Sequence, residues 1–385
     1  MANRRKFIKT SLKVGALLPF AGTALISCGS VEAEIGEGQA KQLRILILGG
    51  TSFLGPHQIV YALERGHSVT TFTRGKTRPT VHQELFDQVT MLTGDRENDL
   101  KALETGTWDA VIDNSGHQVE WTRKTAELLK DRADLYLYTS STGVYYPYLT
   151  DNITEDTKLV TTIPEDLEDE EMEMEYGYGV MKTNSEAAAR EAFGEDRTLV
   201  VRPTYMIGPA DKTNRFIHWP LRLAKGGEIL VPGKADDPIQ YADVRDVAEW
   251  MIRLIEDKQT GSFNAVGPKE TQNIHDFVAE AARAFDGEST FVMVDDYDFL
   301  KSQDIYYLVP WVIVEDNNYG SSRASNAKSI AAGLTFRPLV DTVKDTYNWW
   351  QSDALGQEAK DAFLLNEKTV FAREETVLEA WKART

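Results

Sequence analysis

Cysteine is almost absent: Cys28 is the single one in 385 residues. An intramolecular disulfide is therefore excluded, and oxidation does not account for stability in any compartment. Basic residues are outnumbered, 42 Lys and Arg against 60 Asp and Glu, which leaves a formal net charge of −18. That balance argues against binding nucleic acid, whose phosphate backbone needs clustered cations. Histidine is sparse, six in all, and no His or Cys spacing matches a zinc site, so no metal is expected. Asp151-Asn152 and Asp236-Asp237 read as turns rather than calcium ligands. The apolar run Val14–Ile26 is short and interrupted by Gly15, Pro19 and Gly22, which argues against a transmembrane helix. Internal repeats and long low-complexity segments are also missing.

What is present begins with an address. Asn3-Arg4-Arg5-Lys6-Phe7-Ile8-Lys9 followed by the apolar run matches a bacterial twin-arginine export signal. Leu25-Ile26-Ser27-Cys28 resembles a lipoprotein box, in which Cys28 is lipidated and becomes the mature N-terminus. A lipidated form would stay on a membrane, since acyl chains bury about 0.8 kcal/mol per methylene. The expectation is an exported, lipid-anchored protein on the periplasmic side or cell envelope. Residues 29–42, rich in Glu, Ala and Gly, read as a tether. The twin-arginine route carries folded proteins, which suits one that takes its cofactor out with it.

Beyond the tether, strands and helices alternate. Arg44–Leu48, Ser68–Phe72, Val89–Leu92, Ala110–Asp113, Leu135–Thr139 and Thr198–Arg202 read as strands. Pro56–Arg65, Thr122–Lys130 and Lys182–Phe193 read as helices. This rhythm predicts an α/β fold, a Rossmann-like doubly wound parallel sheet over 43–202. A smaller C-terminal α/β lobe over 203–350, interleaved with the last core elements, is expected to hold the substrate. Residues 351–385 form a tail, with one amphipathic helix expected over Phe363–Arg384.

The first strand runs into Gly49-Gly50-Thr51-Ser52-Phe53-Leu54-Gly55. Glycine here lets the backbone approach a pyrophosphate, whose charge then sits on a helix N-terminus. Ser52 replaces the usual middle glycine and still offers a small donor. After the second strand, Arg74 stands where an NAD site would carry a carboxylate for the ribose. Arg74 suits the 2′-phosphate of NADP, so NADP is favoured over NAD. Asp95, followed by Arg96, is placed near the adenine amine, and Asn114-Ser115 near the pyrophosphate and nicotinamide ribose.

Tyr178 and Lys182 are four residues apart, on one face of a helix. Upstream, Ser140, Ser141 and Thr142 close a strand with hydroxyls. These are the parts of a hydride-transfer site acting on an alcohol. A phenolate takes the hydroxyl proton while the carbinol hydride leaves for a nicotinamide. Working near pH 7 demands about three units of pKa lowering from a tyrosine, about 4 kcal/mol. Lys182 and the nicotinamide charge can supply it, and Ser141 can hold the substrate oxygen.

The chain resembles the extended short-chain dehydrogenase/reductase family, the NAD-dependent epimerase/dehydratase group. The resemblance runs from about Leu43 to Trp350 and rests on Gly49–Gly55, Asp95, Ser140-Ser141, Tyr178-Gly179-Val180-Met181-Lys182 and Arg202-Pro203-Thr204. It implies Ser141, Tyr178 and Lys182 as a catalytic triad, with Asn114 a looser member. It also implies cofactor contacts from Ser140, Tyr178, Lys182 and Pro203, and a homodimer through a helix pair. Members acting on nucleotide sugars carry an Arg shortly before a closing strand to pin the diphosphate. That position falls near Ile239, with Arg245 displaced from it, so Arg215 or Arg222 would have to substitute. His117, Thr142, Tyr205, Arg215, His218 and Trp219 are the substrate-pocket candidates, and the acidic run Glu165–Glu175 reads as a solvated loop.

Outside the cytoplasm a released NADPH cannot readily be recycled. The leading expectation is therefore redox-neutral chemistry with a retained cofactor on a sugar-like carbinol. A non-catalytic scaffold that keeps the fold for binding is the alternative. A third reading is cytoplasmic-type epimerase chemistry in which the N-terminus is no signal.

Overall fold

A computed structural model describes residues 41–384 apart from 166, 168 and 169, and these form one unit. The predicted signal, Cys28 and most of the tether lie outside the described residues. Seven parallel strands make the central sheet: β1 (Arg44–Leu48), β2 (Ser68–Thr73), β3 (Thr90–Thr93), β4 (Trp108–Asp113), β5 (Ala133–Thr139), β6 (Thr198–Pro203) and a late arrival, Gly261–Ala265. Ile45, Leu46, Ile47 and Leu48 are all fully buried, as a central strand covered on both faces requires. Helices α1 (Leu54–Glu64), α2 (Val119–Leu129) and α3 (Glu170–Phe193) connect the strands.

In space the order is the late strand, β6, β5, β4, β1, β2, β3. The chain winds outward in opposite directions from β1 and β4, so the carboxyl ends of these two neighbours flank a crevice. That switch point is where open α/β sheets bind ligands. Beyond β6 the chain forms β7 (Met206–Ile207), α4 (His218–Lys225), β8 (Gly227–Pro232), β9 (Pro238–Asp243) and α5 (Val244–Glu256), and then the late strand as β10. In α5, Val244, Val247, Ala248, Met251, Ile252 and Ile255 are buried at helical spacing, in one core cluster with Ile59 and Ala62 of α1. After β11 (Gly267–Asn273), a second cluster is built from α6 (Ile274–Ala282), β12 (Ser289–Val294), α7 (Tyr297–Ser302) and the hairpin β13 (Tyr307–Leu308) and β14 (Trp311–Val312), with α4, β8 and β9.

Two expectations change. Helix α3 starts at Glu170, so it absorbs the later part of the acidic run and Tyr178 sits inside it. After α8 (Ala327–Ala331) and α9 (Leu339–Gln351), the tail is two helices, α10 (Gln357–Leu364) and α11 (Val370–Lys382). The break comes where Thr369 caps a new start by accepting from the Ala372 N–H. The tail is also docked: Glu374 pairs with the buried Arg222 and accepts the Leu230 N–H at 2.9 Å.

Candidate active site

The turn after β1 is tight for a packing reason. A Cβ on Gly55 would lie 2.5 Å from the Gly50 carbonyl carbon, and one on Gly49, at φ +84°, would lie 2.7 Å from the Ser115 Cβ. The absence of side chains there lets the start of α1 close onto the β1 and β4 ends. The result is a cleft of about 320 Å³ lined by Gly49, Thr51, Ser52, Phe53 and Leu54, with Gly50 and Gly55 behind its wall. Arg74, Asp95, Arg96, Asn114, Ser115 and His117 complete it, with Phe72, Lys76, Trp121 and Met206, which sequence reading left out. Glycines that admit close backbone approach, a helix N-terminus and an open cleft at the switch point fit a dinucleotide.

Not all these groups are free to bind. Arg96 is buried and pairs bidentately with Asp113, with Nη2 2.8 Å from Oδ2, and it also donates to Ser115, Trp121 and Thr125. Its guanidinium braces the cleft wall. Arg74 is exposed at the mouth, with its charge open to solvent. Asn114 accepts from Thr139 at 2.8 Å and donates to Gln58 at 2.7 Å, which holds the β4 end in place.

A larger cavity, about 710 Å³, adjoins this cleft and shares Met206 with it. Ser141, Thr142, Tyr178, Tyr205 and Arg215 all line it, so five predicted residues from distant positions converge. Ser141 caps a short turn, accepting from Gly143 at 3.1 Å. Burial pushes the Tyr178 phenol up, while its bond to Ser141 and the Arg215 charge pull it down. The ring is 43% exposed, opening onto the cavity. Lys182, one turn along, is buried and donates to the Thr139 carbonyl at 3.0 Å. Its ammonium lies 5.9 Å from the Tyr178 ring centre. Desolvation lowers its pKa to about 8 against the upward pull of Asp113 and Glu186, so it is mostly charged at pH 7. It thus places a cation near the Tyr178 ring, while the charge that lowers the phenol is that of Arg215.

Four placements correct the sequence reading. His117 lies in the dinucleotide cleft, edge-on to Trp121, and not in the larger cavity. Pro203 lines the larger cavity instead of the cleft. His218 is buried with neither ring nitrogen hydrogen-bonded, against Trp219 and Phe371, and desolvation holds its pKa down at about 3. Trp219 is fully buried as well, donating to the Val309 carbonyl at 2.9 Å. Both sit on α4 where its apolar face packs under the tail, a burial that a lone His or Trp does not announce.

Of the three arginines weighed for an anion, Arg222 is tied to Glu374 and Arg245 to Asp243 and Asp345. Arg215 remains in the cavity, its Nε donating to Thr213 at 2.8 Å. Ser140 lines the cavity, but its hydroxyl donates to Glu186 at 2.5 Å. Glu186 was missed, although Tyr178, Lys182 and Glu186 repeat at a spacing of four and so share a helix face. Tyr306, Tyr307, Glu315 and Asn318 were missed too, because they come from a loop far along the chain that carries no motif. Among the described residues no cluster of three or more His, Cys, Asp or Glu is placed to hold a metal.

A parallel sheet with its cleft at the switch point and a Ser–Tyr–Lys set beside it defines a short-chain dehydrogenase-type, dinucleotide-dependent site. The family model for the NAD-dependent epimerase/dehydratase family matches residues 45–274, and the chain belongs to that family. It is accordingly an NAD-dependent epimerase/dehydratase-type enzyme. Among curated proteins it is 26% identical over 331 residues to the chloroplast stem-loop binding protein of 41 kDa b from Arabidopsis thaliana, covering 80% of this chain and 79% of that one. A putative epimerase from Burkholderia cenocepacia superposes with a TM-score of 0.57 at 20% identity, covering 81% of this chain and 98% of that one. UDP-glucuronic acid 4-epimerase from Bacillus cereus, in complex with NAD, gives 0.54 at 17%, covering 80% and 96%. At these identities the two structures speak for the fold.

Proposed function

We propose that this chain performs redox-neutral chemistry, epimerisation or elimination, on a sugar-like carbinol with a retained dinucleotide. The observation that carries the proposal is the position of Tyr178: it faces the large cavity beside the cleft, with Ser141 on one side and charged Lys182 behind. Gly49–Leu54, Asn114 and Ser115 would hold the dinucleotide, which supplies a reversible hydride acceptor. Ser141 orients the substrate hydroxyl, and Tyr178 takes its proton as the carbinol becomes a carbonyl. Tyr178 gives the proton back when the hydride returns, so no net oxidant is consumed. Arg74, exposed at the cleft mouth with Lys76 nearby, favours the 2′-phosphate of NADP.

The paired arginines and Cys28 support export and lipid anchoring, where a retained cofactor is an advantage. Cell fractionation of wild type against Arg4→Lys/Arg5→Lys and Cys28→Ala tests this. Exclusively cytoplasmic wild type refutes it. The Bacillus cereus neighbour is named for a nucleotide sugar, so UDP-sugars belong in any substrate panel. Stem-loop binding, after the name of the Arabidopsis relative, fits poorly with a net charge of −18.

The decisive experiment is mass spectrometry of small molecules released on denaturing the purified protein, followed by sugar turnover without added oxidant. Stoichiometric NADP or NAD, with turnover lost by at least about a hundredfold in Tyr178→Phe, supports the proposal. A protein that neither carries nor binds a dinucleotide sinks it, and leaves the scaffold reading.

A further inference from the structure

The larger cavity is unusual in what surrounds it. Tyr145, Tyr146, Tyr148, Tyr178, Tyr205, Tyr306 and Tyr307 all contribute, whereas among the described residues Arg215 is the lone cation of the lining, against Glu175 and Glu315. Glu315 is itself paired with Lys301, so among the described residues the lining offers one cation against Glu175 and no net positive charge. A nucleoside diphosphate brings about two negative charges, which such a wall does not neutralise. Thr142 and Asn317 offer uncharged polar groups that suit a polyol instead, whereas the Gln240 and Asn318 amides are spent on backbone groups of Ala324, Glu315 and Ile313.

The tyrosines divide into two groups. Tyr145 and Tyr205 are largely or wholly covered, whereas Tyr178 on its helix is 43% exposed and Tyr306 and Tyr307, from a separate hairpin, are 48% and 57% exposed. The exposed pair stands at the start of the β13–β14 hairpin, and that hairpin is anchored. Trp311 is fully buried and donates to Asp237 at 2.9 Å, Leu308 pairs with Trp311, and the Ile313 N–H returns to the Tyr306 carbonyl at 2.9 Å. The rim rings are therefore held out on a fixed support. Exposed aromatic surface on a rigid element beside a cavity marks a binding surface.

We infer that Tyr306 and Tyr307 form an outer subsite, and that the substrate is an uncharged glycoside whose aglycone or second sugar ring packs there while the reacting ring lies against Tyr178. This rests on the function proposed above and names its substrate class. The cavity volume, about 710 Å³, sits in the upper part of the range for small-molecule sites and exceeds what one sugar ring fills.

The test is isothermal titration of the full chain, dinucleotide-loaded, with three sets of probes: methyl glycosides, 4-nitrophenyl glycosides and UDP-sugars of glucose, galactose and mannose. The 4-nitrophenyl glycoside of the preferred sugar should bind about tenfold more tightly than its methyl counterpart, and Tyr306→Ala/Tyr307→Ala should abolish that advantage. Dinucleotide affinity, set in the other cleft, serves as the control for folding. Equal binding of methyl and aryl glycosides, or an advantage untouched in the double variant, overturns the outer subsite and leaves the redox-neutral reading standing. Tightest binding by UDP-sugars overturns the charge argument. Failure of every sugar to bind counts against the functional reading itself, and the subsite goes with it.

Discussion

Replacing Glu186 by Gln removes one charge from a buried ion pair while its partner stays. Glu186 Oε1 accepts from Ser140 at 2.5 Å and Arg202 Nε at 2.9 Å, and Oε2 accepts from Arg202 Nη2 at 2.7 Å and Arg190 at 3.3 Å. Both paired side chains are at most 3% exposed, so water cannot take over. Gln keeps one acceptor but turns an amide donor toward guanidinium donors. Stranding a buried charge this way costs about 3–5 kcal/mol. For the Lys41–Thr385 unit, an unfolding entropy of about 2.1 cal/mol/K per residue converts that to a Tm fall of about 4–7 °C. Differential scanning calorimetry measures it. The paired variant Glu186→Leu/Arg202→Met, which leaves no stranded charge, should be more stable than either single change.

The pH dependence of that cost has a definite sign. Burial would raise the Glu186 carboxyl, but Arg202 and Ser140 hold it below its ordinary 4.5. A depressed carboxylate contributes stability above 4.5 that is lost as pH falls through the folded value. The wild-type advantage over Glu186→Gln should therefore be full at pH 6–7 and shrink progressively below 4.5. A Tm change under about 1 °C, or one independent of pH down to acid unfolding, would refute the assignment of the ion pair as the source.

Lys182→Met should stabilise the fold near pH 7 even as it disables the site. The folded pKa, near 8, lies below the ordinary 10.5, so the wild-type lysine penalises folding below pH 8 and the penalty is relieved as pH rises toward 10.5. The gain is about 3 kcal/mol at most, less the lost bond to Thr139, and denaturant unfolding at pH 7 and 10 should show it fading with alkalinity. Arg74→Glu should weaken NADP by at least about tenfold and leave NAD nearly unchanged, measured by fluorescence titration. Equal losses for both cofactors would place Arg74 away from the 2′-position. Gly55→Ala should cost about 1–3 kcal/mol and lower dinucleotide affinity, because its methyl would press on the Gly50 backbone. An unaltered Tm and affinity would show that the turn relaxes freely.

The sheet and the shared helix face of Tyr178 and Lys182 were legible because they rest on local patterns. Ile45–Leu48 reads as a buried strand since both faces are covered, and Tyr178 and Lys182 share a helix face wherever that helix goes. The glycine spacing likewise declares a tight turn, in which a Cβ on Gly55 would meet the Gly50 backbone. These features depend on residues within a turn or two of each other, so the linear order is enough to determine them.

What only the tertiary structure decided is which side chains face the cavity and which are spoken for. His117 and His218 look alike in the sequence, yet one edges the dinucleotide cleft and the other is sealed beneath the tail helix. Arg222 looked available for an anion, Arg96 for the cofactor, and Arg245 stood near the arginine position of the resembled family, yet each is neutralised by a carboxylate between 17 and 152 residues away, or by a neighbour two residues off. Tyr306 and Tyr307 reach the mouth of Tyr178's cavity from across the chain, on a hairpin pinned by Trp311. Burial and ion pairing are properties of neighbours brought together by packing, and long-range neighbours leave no periodic mark in a single sequence.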